Sequence, residues 1–298
     1  MSDPGLVDAH HHLWDLVRRP QPWLDEAAHR PIRRTFGTAD LTAAATRPIA
    51  GRRLRATVLV HCLDSAGETR ELLALAAEDP LIAAVVGWVD LTSPAVGDVL
   101  DELSAGPGGA YLRGLRHLVQ GEADRGWLQR PDVERGLRAA RQRGLAYDLL
   151  IRSHQFPQAI RLAERLPELP MVLDHAGKPP IAAGDLADWE RQLRRLARHE
   201  QVVCKVSGLI TEADHALWSP ADIRPVVEVL LSAFGPRRLM FGSDWPVCTL
   251  AGGWNRWAAA VDDLLSGCSS EETGALLSGT ARSFYRLLSI GYSGTKGE

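Results

Sequence analysis

The sequence predicts an α/β fold, a (β/α)8 TIM barrel. Three observations predict it: eight short apolar runs, helical spacing between them, and a length that suits one such barrel. The runs fall at 6–7, 56–60, 83–89, 112–115, 146–151, 171–173, 202–206 and 239–241. Each is followed by polar or glycine-containing turns. Patterns with apolar residues at three- and four-residue steps follow at 68–77, 132–142, 155–166, 189–198 and 223–234. Strand and helix alternating in this way imply right-handed βαβ units and a parallel sheet.

Each element has its own reason. The short runs are the length of strands buried on both faces, which need not alternate apolar and polar residues. The segment 13–54, after the first strand, is long for a βα connection and carries Pro20, Pro22, Pro31 and Pro48. It is expected to form an irregular cap over the barrel mouth. A further helical pattern spans 269–288, and 289–298 reads as a frayed tail. The chain 1–298 is therefore expected to be one domain, with the barrel at about 5–288. No GxGxxG follows the first strand, so neither a dinucleotide fold nor an organic cofactor is expected.

Composition narrows the function classes. Hydrophobic residues at 45% and charged residues at 24% suit a folded chain, and a net charge of −3 without a basic stripe argues against nucleic acid. The start lacks a secretory h-region and no apolar stretch is long enough to span a membrane, so a cytoplasmic location is expected. Cys62, Cys204, Cys248 and Cys268 are scattered, which disfavours disulfides or a thiolate zinc site. Nothing in the sequence sets an oligomeric state.

In a barrel of this kind the active site lies at the C-terminal ends of the strands, so polar residues just after each apolar run are the candidates. After the first strand comes Asp8-Ala9-His10-His11-His12, where His10 and His12 alternate along extended chain and project to one side. The sixth strand leads into Asp174-His175-Ala176-Gly177-Lys178-Pro179, and the eighth into Gly242-Ser243-Asp244-Trp245-Pro246. Three histidines and an aspartate thus converge on the barrel axis. His61 follows the second strand, Arg116 and His117 the fourth, and His154 the fifth. Trp14, Trp23, Trp218, Trp245 and Trp254 leave strand ends, and two of these five indoles are expected to touch substrate. Lys178 and Lys205 read as ion-paired residues near the barrel wall.

These motifs, together with Glu68-Thr69-Arg70-Glu71-Leu72-Leu73, Gly114-Leu115-Arg116-His117 and Lys205-Val206-Ser207-Gly208-Leu209, make the chain resemble the sugar-lactone hydrolase branch of the amidohydrolase superfamily. That branch includes fuconolactonase-like and rhamnonolactonase-like enzymes. The resemblance runs over 7–288. It implies hydrolytic opening of a small sugar-derived lactone, a 1,4- or 1,5-aldonolactone, with no organic cofactor. It further implies either no metal or one divalent ion, zinc or manganese, held by His10, His12, Asp244 and His154, unless His154 instead begins the next helix facing solvent. Asp244 and His175 are then the catalytic pair, with Asp244 as general base for the attacking water. Trp14, His61, Arg116, His117 and Trp245 are the expected substrate contacts. The branch leads one to expect glutamine where His61 stands.

A metal-dependent decarboxylase or amidohydrolase of the same superfamily would share the His and Asp pattern. A non-catalytic ligand-binding barrel is the reading from another class, because fold alone does not determine function. The intact His and Asp set argues against it.

Overall fold

Eight parallel strands stand in sequence order around one sheet: β1 (Leu6–His11), β2 (Leu54–Val60), β3 (Ile82–Gly87), β4 (Leu112–His117), β5 (Ala146–Leu149), β6 (Met171–Leu173), β7 (Val202–Val206) and β8 (Leu239–Phe241). The computed structural model describes residues 5–287, so the tail expected at 289–298 lies outside the described residues. The sheet is buried on both sides, which is why its strands read as near-continuous apolar runs. Val7, Ala9, Val58, Val60, Val86, Val172, Val203 and Met240 belong to one apolar cluster with Tyr285. Leu59, Val85, Leu115, Leu149, Leu173, Val206 and Phe241 belong to a second, larger cluster that takes in the buried faces of the helices.

Closure between β8 and β1 is made largely by polar groups. Asp244 N donates to His10 O at 2.8 Å and His12 N to Trp245 O at 2.7 Å. Beneath them the Asp8 carboxylate accepts from Ser243 N at 2.8 Å, Ser243 Oγ at 2.5 Å and His10 N at 3.1 Å. Burial pushes the Asp8 carboxyl up to about 7 in spite of these bonds. Asp8 is therefore a fastener between the first and last strands, and it fixes where His10 and Asp244 leave the sheet.

The helices follow their sequence signals closely. Ser65 caps α2 (Ala66–Glu78) by accepting from Glu68 N at 3.3 Å. Proline opens α4 (Pro131–Gln142) and α7 (Pro220–Phe234), and the patterns predicted at 155–166 and 189–198 fold as α5 (Phe156–Arg165) and α6 (Ala187–Leu196). Within the first βα connection only α1 (Thr38–Ala44) is regular helix, and 3-10 turns at Pro22–Asp25 and Ala27–Ile32 carry it across the barrel mouth. The tail pattern breaks into α9 (Ser270–Gly274), a π-turn and α10 (Thr280–Phe284). The four cysteines are free, three of them buried. Among the described residues, no helix is long and apolar enough to cross a membrane.

Candidate active site

At the C-terminal ends of the strands, a cleft of about 580 Å³ opens between the capping segment and the barrel. His12 on the β1 side, Cys62 to Asp64 after β2, Arg116 from β4, His175 and Lys178 after β6, and Asp244 after β8 border it. The capping segment contributes Pro22, Trp23, Glu26 and His29. His10 is fully buried beneath, with its Nε2 3.2 Å from His12 Nε2 and 3.8 Å from Asp244 Oδ1. Donor atoms of His10, His175 and Asp244 lie within 4.8 Å of one another.

Local backbone explains how these side chains are aimed. His175, Ala176, Gly177 and Lys178 all have positive φ, so the chain turns sharply left as it leaves β6 and swings His175 over the axis. The ring rests on Gly208, where φ is +61° and a Cβ would meet His175 Nδ1 at 2.5 Å. Nothing larger than glycine fits there. Asp244 too has positive φ, at 56°, directly after Ser243 is anchored to Asp8.

The protonation states follow from partners. His12 Nδ1 faces Val60 O at 2.7 Å and donates to it, and its Nε2 lies 3.5 Å from Asp244 Oδ1. His175 Nδ1 is engaged by Ser207 Oγ at 2.9 Å, and burial lowers the ring to about 4, so it is neutral at pH 7. Burial alone would raise the Asp244 carboxyl, but His175, His12 and Lys178 outweigh it and hold the group below the usual carboxylate range. An ionised carboxylate and a neutral imidazole therefore share the cleft.

Below them lies a buried polar network that the sequence does not announce. Lys205 Nζ, fully buried, lies 2.6 Å from Asp148 Oδ2, 2.9 Å from Asp174 Oδ1 and 3.2 Å from His10 Nδ1. Arg116 Nη1 reaches Asp174 Oδ2 at 3.1 Å and approaches His10 Nε2 at 3.4 Å, and Tyr285 OH donates to Asp148 Oδ2 at 2.7 Å. Two cations meet two carboxylates here, so the charges balance where water is excluded. Lys205 is thus ion-paired as expected, although inside the barrel rather than near its wall. Lys178 pairs with Glu212 at 2.8 Å.

Several expected contacts are placed elsewhere. His154 is exposed in the turn after β5 and takes no part in the donor cluster, where His175 stands instead. His61 is fully buried, and both ring nitrogens face carbonyl oxygens, Leu63 O at 2.8 Å and Arg116 O at 2.9 Å. Arg116 Nη2 donates back to His61 O, so His61 clasps Arg116 and does not border the cleft. His117 stacks on Trp127 with centroids 3.9 Å apart, accepts from Trp88 Nε1 and bonds Glu122, so it too stands behind the cleft wall. Trp14 donates to Arg34 O and packs edge-on against Trp23 and Phe36, while Trp245 packs against Phe36. These two indoles build the cap, and of the five considered Trp23 alone borders the cleft. Asp64, Gln120 and Arg152 border it without having been singled out in the sequence. Asp64 lies three residues past His61, in a loop whose path no periodicity reveals.

The donor set fits one divalent ion. Donor atoms of His10, His175 and Asp244 converge within 4.8 Å, with Asp244 held as an ionised oxygen donor and His175 positioned through its Nδ1 by Ser207; His12, expected among the ligands, stands beside the cluster. Neither β4 nor β5 carries a lysine that, once carbamylated, would bridge a second ion.

The amidohydrolase family model matches residues 7–287. An L-fucono-1,5-lactonase of Burkholderia multivorans (strain ATCC 17616 / 249) is 38% identical over 293 residues, covering 94% of this chain and 96% of that protein. One from Burkholderia ambifaria is 36% identical, with 94% and 95% covered. The crystal structure of an amidohydrolase from Burkholderia multivorans with bound zinc superposes with a TM-score of 0.87 at 36% identity, covering 95% of this chain and 99% of that one. A match over nearly the whole described chain, with the His and Asp residues at the strand ends where a barrel hydrolase needs them, shows that this protein belongs to the amidohydrolase family.

Proposed function

We propose that this protein is a hydrolase that opens a sugar-derived 1,4- or 1,5-lactone, with Asp244 as the general base and a six-carbon or deoxy-six-carbon aldonolactone as substrate. The observation that carries the reading is the pairing of ionised Asp244 with neutral His175 at one open cleft, and the similarity to two L-fucono-1,5-lactonases supports the substrate class. Asp244 orients a water and takes its proton as the oxygen attacks the lactone carbonyl. His175, kept neutral, hydrogen-bonds at the reacting centre without adding charge. The Arg116 guanidinium borders the cleft, so its field favours the negative charge that develops on the carbonyl oxygen. Trp23 offers an indole to the C–H surface of a sugar ring.

His10, His175 and Asp244 would hold one divalent ion, with His12 beside them. When bound, such an ion supplies Lewis-acid polarisation. Elemental analysis of the purified protein is expected to find at most one equivalent of zinc or manganese. Two tightly bound ions would contradict the site as described.

An ester carbonyl in a strained ring needs one oriented water and modest oxyanion support, whereas a phosphate ester usually calls for more cationic charge. Glu26, His29, Gln120 and Arg152 line the cleft and offer hydrogen-bonding groups to the substrate hydroxyls. A site built to bond a hydroxyl rejects analogues that lack it by about 10⁴-fold or more. A pH-indicator assay over fucono-, rhamnono-, galactono- and glucono-lactones is therefore expected to show strong stereochemical discrimination. Equal rates across all four would contradict specific hydroxyl recognition.

A further inference from the structure

Lactone opening, the reading on which this inference rests, needs a proton for the departing ring oxygen as well as a base for the water. Asp244 supplies only the second. The loop after β2 stands across the ring of eight strands from the turn after β6, so Asp64 borders the cleft on the side opposite His175.

We propose that Asp64 is the general acid that protonates the leaving ring oxygen. Its surroundings favour the acid form. Asp64 Oδ2 lies 3.5 Å from His117 Nδ1, and that nitrogen already accepts the Trp88 indole N–H at 3.0 Å. An indole N–H can only donate, so His117 carries no proton at Nδ1, and its other nitrogen donates to Glu122 Oε1 at 2.7 Å. With its lone pair taken by the indole, that nitrogen offers Asp64 no hydrogen, so no hydrogen bond from His117 holds Asp64 in its ionised form. Burial raises the Asp64 carboxyl, opposed by His117 when charged, the Leu118 N–H and Arg116, and reinforced by Glu122. The side chain remains about a third exposed at 31%, so solvent can return the proton after each turnover.

The step balances. The water oxygen bonds to the carbonyl carbon and gives its proton to Asp244. The ring C–O bond breaks with its electron pair on oxygen, and that oxygen takes the Asp64 proton. Asp64 then regains a proton from solvent and Asp244 releases one.

The test is kcat against pH for the wild type, Asp64→Asn and Asp64→Glu, between pH 4.5 and 8, on the sugar lactone the wild type turns over best. An acid that acts when protonated loses rate as pH rises through its pKa, so the wild type should show an alkaline fall. Asp64→Asn should lower kcat by about 10²-fold and abolish that fall, while Asp64→Glu should keep it. A merely structural role would reduce activity and leave the pH limb in place. Asp64→Asn with kcat within threefold of wild type, an unchanged limb in that variant, or a wild type without a limb would each overturn the assignment. A wild type inert to every sugar lactone would overturn the lactonase reading itself.

Discussion

Asp244→Asn is expected to lower kcat by at least about 10²-fold with the fold intact, because loss of a positioned general base costs about 10² to 10⁴ in rate. The amide keeps the size of the carboxylate but cannot take a proton from water at neutral pH. Its backbone N–H bond to His10 O, 2.8 Å long, does not depend on the side chain, so closure between β8 and β1 should survive. Steady-state kinetics beside a circular dichroism melt separates the two effects. A variant with near-wild-type turnover would remove Asp244 from the reaction. A variant that melts far below the wild type would make its rate uninformative, and Asp244→Glu would then be compared.

Lys205→Met is expected to have the largest effect on stability. Lys205 is fully buried between Asp148 and Asp174, and removing one partner of a buried ion pair costs about 3–5 kcal/mol because the other charge stays behind. For a chain of this size that corresponds to a fall in Tm of about 5–8 °C. The penalty should depend on pH. Burial pushes Asp148 up to about 6 even with Lys205 present, whereas Asp174, with burial opposed by Lys205, His10 and Arg116, is held well below the usual range. A carboxyl with a raised folded pKa contributes stability that is lost as pH rises through that pKa. The Lys205→Met deficit should therefore be larger at pH 8 than at pH 5, where Asp148 accepts a proton and stops being an unpaired buried charge. Thermal melts at the two pH values check this. A Tm within about 2 °C of wild type at pH 8 would show that the network carries no such load.

These two residues also mark what the sequence makes legible and what it does not. Strands β6, β7 and β8 coincide with their apolar runs, because strands buried on both faces advertise themselves through consecutive apolar residues. β1 runs on to His11, well past its apolar pair, because β8 satisfies Asp8 and the centre of the barrel engages His10, although both ring nitrogens of buried His11 lack a hydrogen-bond partner. Asp244 and His175 are legible because a barrel puts chemistry at its strand ends. Lys205, Asp148 and Asp174 are not legible as a set. Asp148 lies on β5, Lys205 on β7 and Asp174 just past β6, and only closure of the ring brings them within bonding distance. The choice of His175 over His154 in the donor cluster, and the burial of Trp14 and Trp245 in the cap, depend on backbone turns that carry no periodic signal.

The central claim is tested most directly by hydrolysis rates of the purified wild-type protein on L-fucono-1,5-lactone and related sugar lactones, with dihydrocoumarin and p-nitrophenyl phosphate as controls in the same pH-indicator assay. At least one sugar lactone is predicted to be opened with a kcat/KM far above that for either control. Inert sugar lactones alongside rapid turnover of the aryl ester or the phosphate would contradict it.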